Sequence, residues 1–126
     1  MPYKNVVVSR FMKDFVASLK YIKGSAYKMN DVARLIRGLA VEDAKLQLAF
    51  CERRLSVALS KLLDSAVANA GNGSVGGKGL FVKRVDVGKA FSLKRSMPRG
   101  RGRSSRIEKK FSNVRIVLAK KVVAGV

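Results

Sequence analysis

Apolar positions recur along this chain with two different periods, and they split it into a helical first half and a stranded second half. Behind Ser25, whose hydroxyl suits a helix N-cap, Met29, Val32, Leu35 and Ile36 follow helical spacing, and Gly38 can close the helix in the left-handed conformation. Asn30, Arg34 and Arg37 then lie on another face. Val41, Ala44 and Leu48 begin a second helix, with Glu42 and Asp43 in its first turn, where the helix dipole favours negative charge. A longer helix fits residues 53–70, with Leu55, Leu59, Leu62 and Ala66 on one stripe and Gly71 at its end. Its second half, Ser65-Ala66-Val67-Ala68-Asn69-Ala70, is built of small residues that admit another backbone, either a strand or an RNA sugar-phosphate chain.

Three stretches carry strand character. Residues 17–22, with Leu19, Tyr21 and Ile22, suit a half-buried strand, and residues 80–87 and 114–118 read as two more, the last alternating Val114, Ile116 and Leu118 inward. A glycine-rich turn is expected at 71–79. Helices followed by strands predict an α+β fold. More than twenty residues separate the last two strands, too many for a structureless loop inside a compact domain, so that excursion is expected to be functional.

Charge changes the picture most. Among 126 residues, 27 Lys and Arg stand against 8 Asp and Glu, a formal +19 whose self-repulsion calls for a polyanion. Much of that charge falls in the excursion, where residues 94–110 read KRSMPRGRGRSSRIEKK. Lys94, Arg95, Arg99, Arg101, Arg103, Arg106, Lys109 and Lys110 face Glu108 alone. Pro98 and Gly100 fit positions i+1 and i+3 of a type I turn, which would make the segment an extended hairpin with its tip there; the alternative is an unfolded basic loop. Arginine alternating with glycine over 99–103 sets guanidinium forks beside unencumbered backbone, which suits bidentate contact with phosphates. No aromatic residue lies between Phe91 and Phe111, so the segment itself offers no base stacking and should bind phosphate and shape. If all eight cations met phosphates, log affinity would fall against log salt with a slope of about −6 to −7.

Other chemistries find little support. The apolar runs fall far short of the roughly 20 residues of a membrane span, so no membrane insertion is expected. The first residues lack the apolar core of a secretory signal, and an intracellular chain is expected. With Cys51 as the one cysteine and no histidine, neither a disulfide, a metal site nor a cofactor is expected, and Cys51 reads as a small buried hydrophobe. Gly71, Gly73 and Gly76 match a dinucleotide-binding spacing but follow a helix and open a strand, the reverse of the required order. Gly77-Lys78 lacks the first glycine and the Ser/Thr of a phosphate loop. Without histidine, and with its carboxylates scattered, the chain is not expected to be an enzyme. A free-standing nucleic-acid binder and a cationic membrane-active protein are the competing classes, the second disfavoured because the charge sits in a glycine-rich excursion and not along an apolar helix.

Leu35-Ile36-Arg37-Gly38, then the run from Ser65 to Ala70, then Leu93-Lys94-Arg95-Ser96-Met97-Pro98-Arg99-Gly100-Arg101-Gly102-Arg103, with Arg106-Ile107 and Ser112-Asn113-Val114, resemble the ribosomal L-twenty-two family in that order. The resemblance implies three helices packed on a small three-stranded antiparallel sheet with a long extended β-hairpin. Residues 1–23 would be a basic leader, 24–119 the domain with its hairpin at about 88–112, and 120–126 a tail. It also implies a constituent of the large subunit, in a cytoplasmic or organellar ribosome, that binds large-subunit rRNA and supports assembly. Lys28, Arg34, Arg37 and the eight hairpin cations would contact rRNA. The tip, Ser96, Met97, Pro98, Arg99, Gly100 and Arg101, would line the peptide exit tunnel beside ribosomal protein L-four and the nascent polypeptide, where changes are associated with macrolide resistance in the family. Asn30, Ser96 and Gly100 depart from residues common among its members.

Overall fold

Ser25 caps the first helix as its side chain predicts, its Oγ accepting from the Lys28 N–H at 3.3 Å. In the computed structural model, which describes residues 14–71 and 79–120, that helix is α1 (Ala26–Arg34), followed by α2 (Val41–Ala49) and α3 (Leu55–Asn69). Three strands complete the fold: β1 (Asp14–Lys23) before the helices, and β2 (Leu80–Pro98) and β3 (Ser104–Lys120) after them. They form an antiparallel sheet in the order β1-β3-β2. The α+β class and this architecture agree with the sequence reading, while several boundaries move.

α1 stops short of Gly38. Leu35 and Ile36 donate to carbonyls three residues back, a tightening of the last turn, and Gly38, at φ +78°, donates to the Val82 carbonyl at 3.0 Å. The chain thus leaves the helix to pair with β2, which keeps Ile36 fully buried and turns Leu35 outward, against its expected place on the apolar stripe. Arg53 and Arg54 precede α3 and do not begin it. Cys51 is only partly buried, in the turn between α2 and α3, because the interior there is filled by Leu48 and Leu55. The alternation of β1 reaches back past Ala17 to Phe15, both buried and in register with Ile116 and Leu118. The second half of the expected leader is therefore an edge strand of the sheet. Residues 1–13, most of the glycine-rich turn, and the tail after Lys120 lie outside the described residues.

The core lies between the helices and one side of the sheet. Met29, Val32, Val41, Leu59, Leu63, Val82, Val114, Ile116 and Leu118 are buried together there, and each large aliphatic side chain so placed contributes about 1.5–3 kcal/mol. The small-residue half of α3 receives a strand: Ala66 is buried and Asn69 Nδ2 donates to the Val16 carbonyl of β1 at 3.1 Å. Ser112 is the exception in this interior, fully buried with a hydroxyl that has no hydrogen-bond partner. A buried, unsatisfied hydroxyl costs more than a methyl in the same space. Ser112→Ala should accordingly leave stability unchanged or raise it by up to about 1 kcal/mol, as measured by urea unfolding.

Candidate nucleic-acid interface

β1 pairs with β3 only as far as Lys23 opposite Phe111, and the Gly24 N–H closes that edge on the Lys110 carbonyl at 2.9 Å. Beyond this point β2 and β3 continue alone, from Ser92 opposite Lys110 to Pro98 opposite Ser104. Seven residues per strand at about 3.4 Å each make a two-stranded ribbon projecting roughly 24 Å. Hydrogen bonding to the other strand explains why a segment so rich in charge is ordered: it satisfies the backbone without burying any side chain, and all but Ser105 of these ribbon residues are exposed. This decides for the extended hairpin over the unfolded loop.

The tip differs from the expected type I turn. Pro98 is still paired in the ladder, and Arg99 is extended (φ −120°, ψ 169°), not helical as position i+2 would need. The Arg99 N–H donates to the Arg103 carbonyl at 2.6 Å, and the reversal is made by Gly100–Gly102, with Arg101 (φ +61°) and Gly102 (φ +70°) both left-handed. Glycine takes that conformation freely; an arginine there costs about 1–2 kcal/mol. The tip residues Ser96, Met97, Pro98, Arg99, Gly100 and Arg101 are all exposed.

Strand alternation gives the ribbon two unlike sides. One bears the cross-strand pairs Lys94–Glu108, Ser96–Arg106 and Pro98–Ser104; the other bears Leu93–Lys109, Arg95–Ile107 and Met97–Ser105. Among the described residues, none of the eight ribbon cations is held in an ion pair. On the domain, in contrast, Lys83 meets Asp14, Arg84 and Arg115 meet Asp86, Lys45 meets Asp64, and Arg53 meets Asp31. Unpaired cations set this close raise one another's energy, and a polyanion lowers it.

Of the helix residues named from the sequence, Lys28 comes together with Lys110 in a cleft at the ribbon's root, between the start of α1 and the start of α3. Arg53 and Arg54 line the same cleft and were missed; their adjacency just before a helix was the available signal. Arg54 also donates to the Lys23 carbonyl at 2.8 Å. Arg34 is exposed and stands apart from this cleft. Arg37 turns back on the fold: its Nε and Nη2 donate to the Val85 carbonyl at 3.2 and 2.8 Å, and Nη2 also to Asn30 Oδ1 at 2.7 Å. Asn30 thus has a task, as acceptor for that guanidinium. Arg37→Ala should lower stability by about 1–2 kcal/mol, whereas Arg34→Ala should stay within about 0.5 kcal/mol. Chemical unfolding of the two variants side by side checks the difference.

Among the described residues no three Cys, Asp or Glu side chains converge on a metal-sized site, and no helix is long and apolar enough to cross a membrane. The family model described as ribosomal protein L22p/L17e matches residues 17–119. The large ribosomal subunit protein uL22 of Sphingopyxis alaskensis is 52% identical over 98 residues, 77% of this chain and 78% of that protein. That of Neorickettsia sennetsu is 50% identical over 103 residues, 81% and 91% of the two chains, and that of Anaplasma phagocytophilum 44% identical over 98 residues, 77% and 88%.

Proposed function

The chain belongs to the ribosomal protein L22p/L17e family, and on that premise we propose that it binds large-subunit rRNA, supports assembly of the subunit, and lines the peptide exit tunnel with the tip of its ribbon. As a member of that family it is a structural protein of the large subunit and not an enzyme, and its place is the ribosome in the cytoplasm.

The observation that carries the rRNA reading is the ribbon: eight cations, none ion-paired among the described residues, on a projection that buries no side chain of its own. Lys94, Arg95, Arg99, Arg101, Arg103, Arg106, Lys109 and Lys110 contact phosphates along its length. Lys28 and Arg34 extend the contact to α1, and Arg37 adds its Nη1 while its other nitrogens hold Val85 and Asn30. Arg101 supports a role for the tip, since a left-handed arginine is kept against a local cost that glycine would avoid. The tip, Ser96 to Arg101, borders the nascent polypeptide beside ribosomal protein L-four.

Sucrose-gradient sedimentation of a tagged copy, washed at high salt, tests this reading. Comigration with the large subunit after the wash is expected. Release into the light fractions would instead make the protein a peripheral nucleic-acid binder.

A further inference from the structure

The side of the sheet turned away from the helices carries a feature that phosphate contacts do not explain. Tyr21 of β1, Phe91 of β2 and Phe111 of β3 meet there at the root of the ribbon. Phe91 and Phe111 stack with centroids 4.6 Å apart and planes 13° from parallel, and Tyr21 stands edge-on to Phe91 at 5.6 Å and 63°. None of the three belongs to the buried core, and Tyr21 is 62% and Phe91 44% exposed.

The backbone is bent to bring them together. β1 has an extra residue between Leu19 and Ile22, opposite Asn113, and β2 has one between Lys89 and Ser92, opposite Phe111, so both strands flanking β3 bulge within two residues of each other along it. Bulges re-aim side chains, often beside functional sites. Tyr21 sits in one of them at φ +62°, its N–H held by Asn113 Oδ1 at 3.1 Å. An aromatic residue in that conformation is strained, and the result here is more exposed ring surface, not less.

Charge around the rings indicates what covers them. Lys23 is the register partner of Phe111, Lys109 lies two residues along β3 on the same side, and Lys20 precedes Tyr21. Asp86, on this side of β2, is engaged by Arg84 and Arg115 at 3.4 and 3.1 Å. An open π-surface flanked by free lysines matches a planar ring flanked by anions. We infer that Tyr21, Phe91 and Phe111 form a stacking site for one unpaired base of the rRNA, with Lys23 and Lys109 meeting the phosphates on either side. The inference rests on the rRNA-binding reading and adds a base contact at the root of an arm that otherwise binds phosphate. A side chain of a neighbouring protein would satisfy the rings but leave the lysines unmatched.

The test uses the full chain and a transcript of large-subunit rRNA, with affinity measured over a salt series and ultraviolet crosslinks mapped by mass spectrometry. Nucleotide adducts are expected at Tyr21, Phe91 or Phe111. Phe91→Leu, which keeps an apolar side chain but removes the ring, should weaken binding roughly five- to a hundredfold with an unchanged salt slope, and Phe91→Tyr should bind like the parent. Strong, salt-sensitive binding with no adducts at these rings and no effect of Phe91→Leu would overturn the stacking site while leaving the rRNA reading intact. A flatter salt slope in Phe91→Leu would also overturn it, since the ring would then only brace the ribbon. Crosslinks from these residues to a protein in purified subunits would put a protein side chain on the rings instead. Absence of any binding to the transcript would remove both readings.

Discussion

Replacing residues 92–110 by an Asn-Gly turn should reduce affinity for a large-subunit rRNA transcript by about three to five orders of magnitude at ~0.15 M salt, with little change in helical circular dichroism. Both halves of that expectation come from where the ribbon leaves the domain. All eight of its cations lie beyond the last β1–β3 pair, and among the described residues none contributes an ion pair to the fold. The three helices pack on strand segments below that level, including Phe15, Ala17, Val82, Val85, Val114, Ile116 and Leu118. An Asn-Gly turn closes a two-residue hairpin in the twist the flanking strands already have. The salt series supplies the second readout: loss of eight phosphate contacts should flatten the slope of log affinity against log salt by about 6–7. A loss of affinity below tenfold would mean that the domain, and not the ribbon, holds the RNA. Collapse of the helical signal would mean that the ribbon is part of the folding unit.

Leu63→Ala should destabilise the free protein by about 2–5 kcal/mol and lower its melting temperature by roughly 10 °C or more. Leu63 is fully buried in the cluster between α3 and the sheet, so the substitution removes its transfer energy and leaves a cavity in a packed interior. The effect is large against the few kcal/mol of net stability that a small domain holds, and here a net charge of +19 opposes compaction as well. Two dependences follow. Salt should raise the melting temperature of the parent by screening that repulsion. Bound rRNA should restore much of what Leu63→Ala loses, because a ligand that prefers the folded state stabilises it in proportion to its concentration over Kd. Calorimetry of parent and variant, with and without the transcript, separates these terms. A variant that melts with the parent in low salt would show that the interior relaxes around the missing side chain.

How much was legible in the residues depended on how local the determining interaction is. Ser25 as a cap, Glu42 and Asp43 in the first turn of α2, and the inward alternation of Val114, Ile116 and Leu118 each depend on neighbours within a few residues, and each stands as read. The basic segment was equally plain, because charge density is a property of composition. The turn at the end of the hairpin was misplaced by a few residues. Proline and glycine at 98 and 100 suggested one turn, whereas the strand ladder continued through Pro98 and moved the reversal to Gly100–Gly102.

What only the tertiary structure decided involves partners far apart in the chain. That Arg37 serves the fold depends on the Val85 carbonyl, 48 residues away, lying within reach of its guanidinium. That Phe91 and Phe111 are not merely the ends of an aromatic-free segment depends on a bulge in each of two strands, which the pattern of residues does not announce. That residues 14–23 form an edge strand depends on β3 being present to pair with them. The sequence by itself determined the class of the fold, the number and order of its helices and the place of its most basic segment, since period, capping and charge act over short range. Register, bulges and the pairing of distant polar groups determined which cations remain free and which rings face outward, and those are set only when the strands meet.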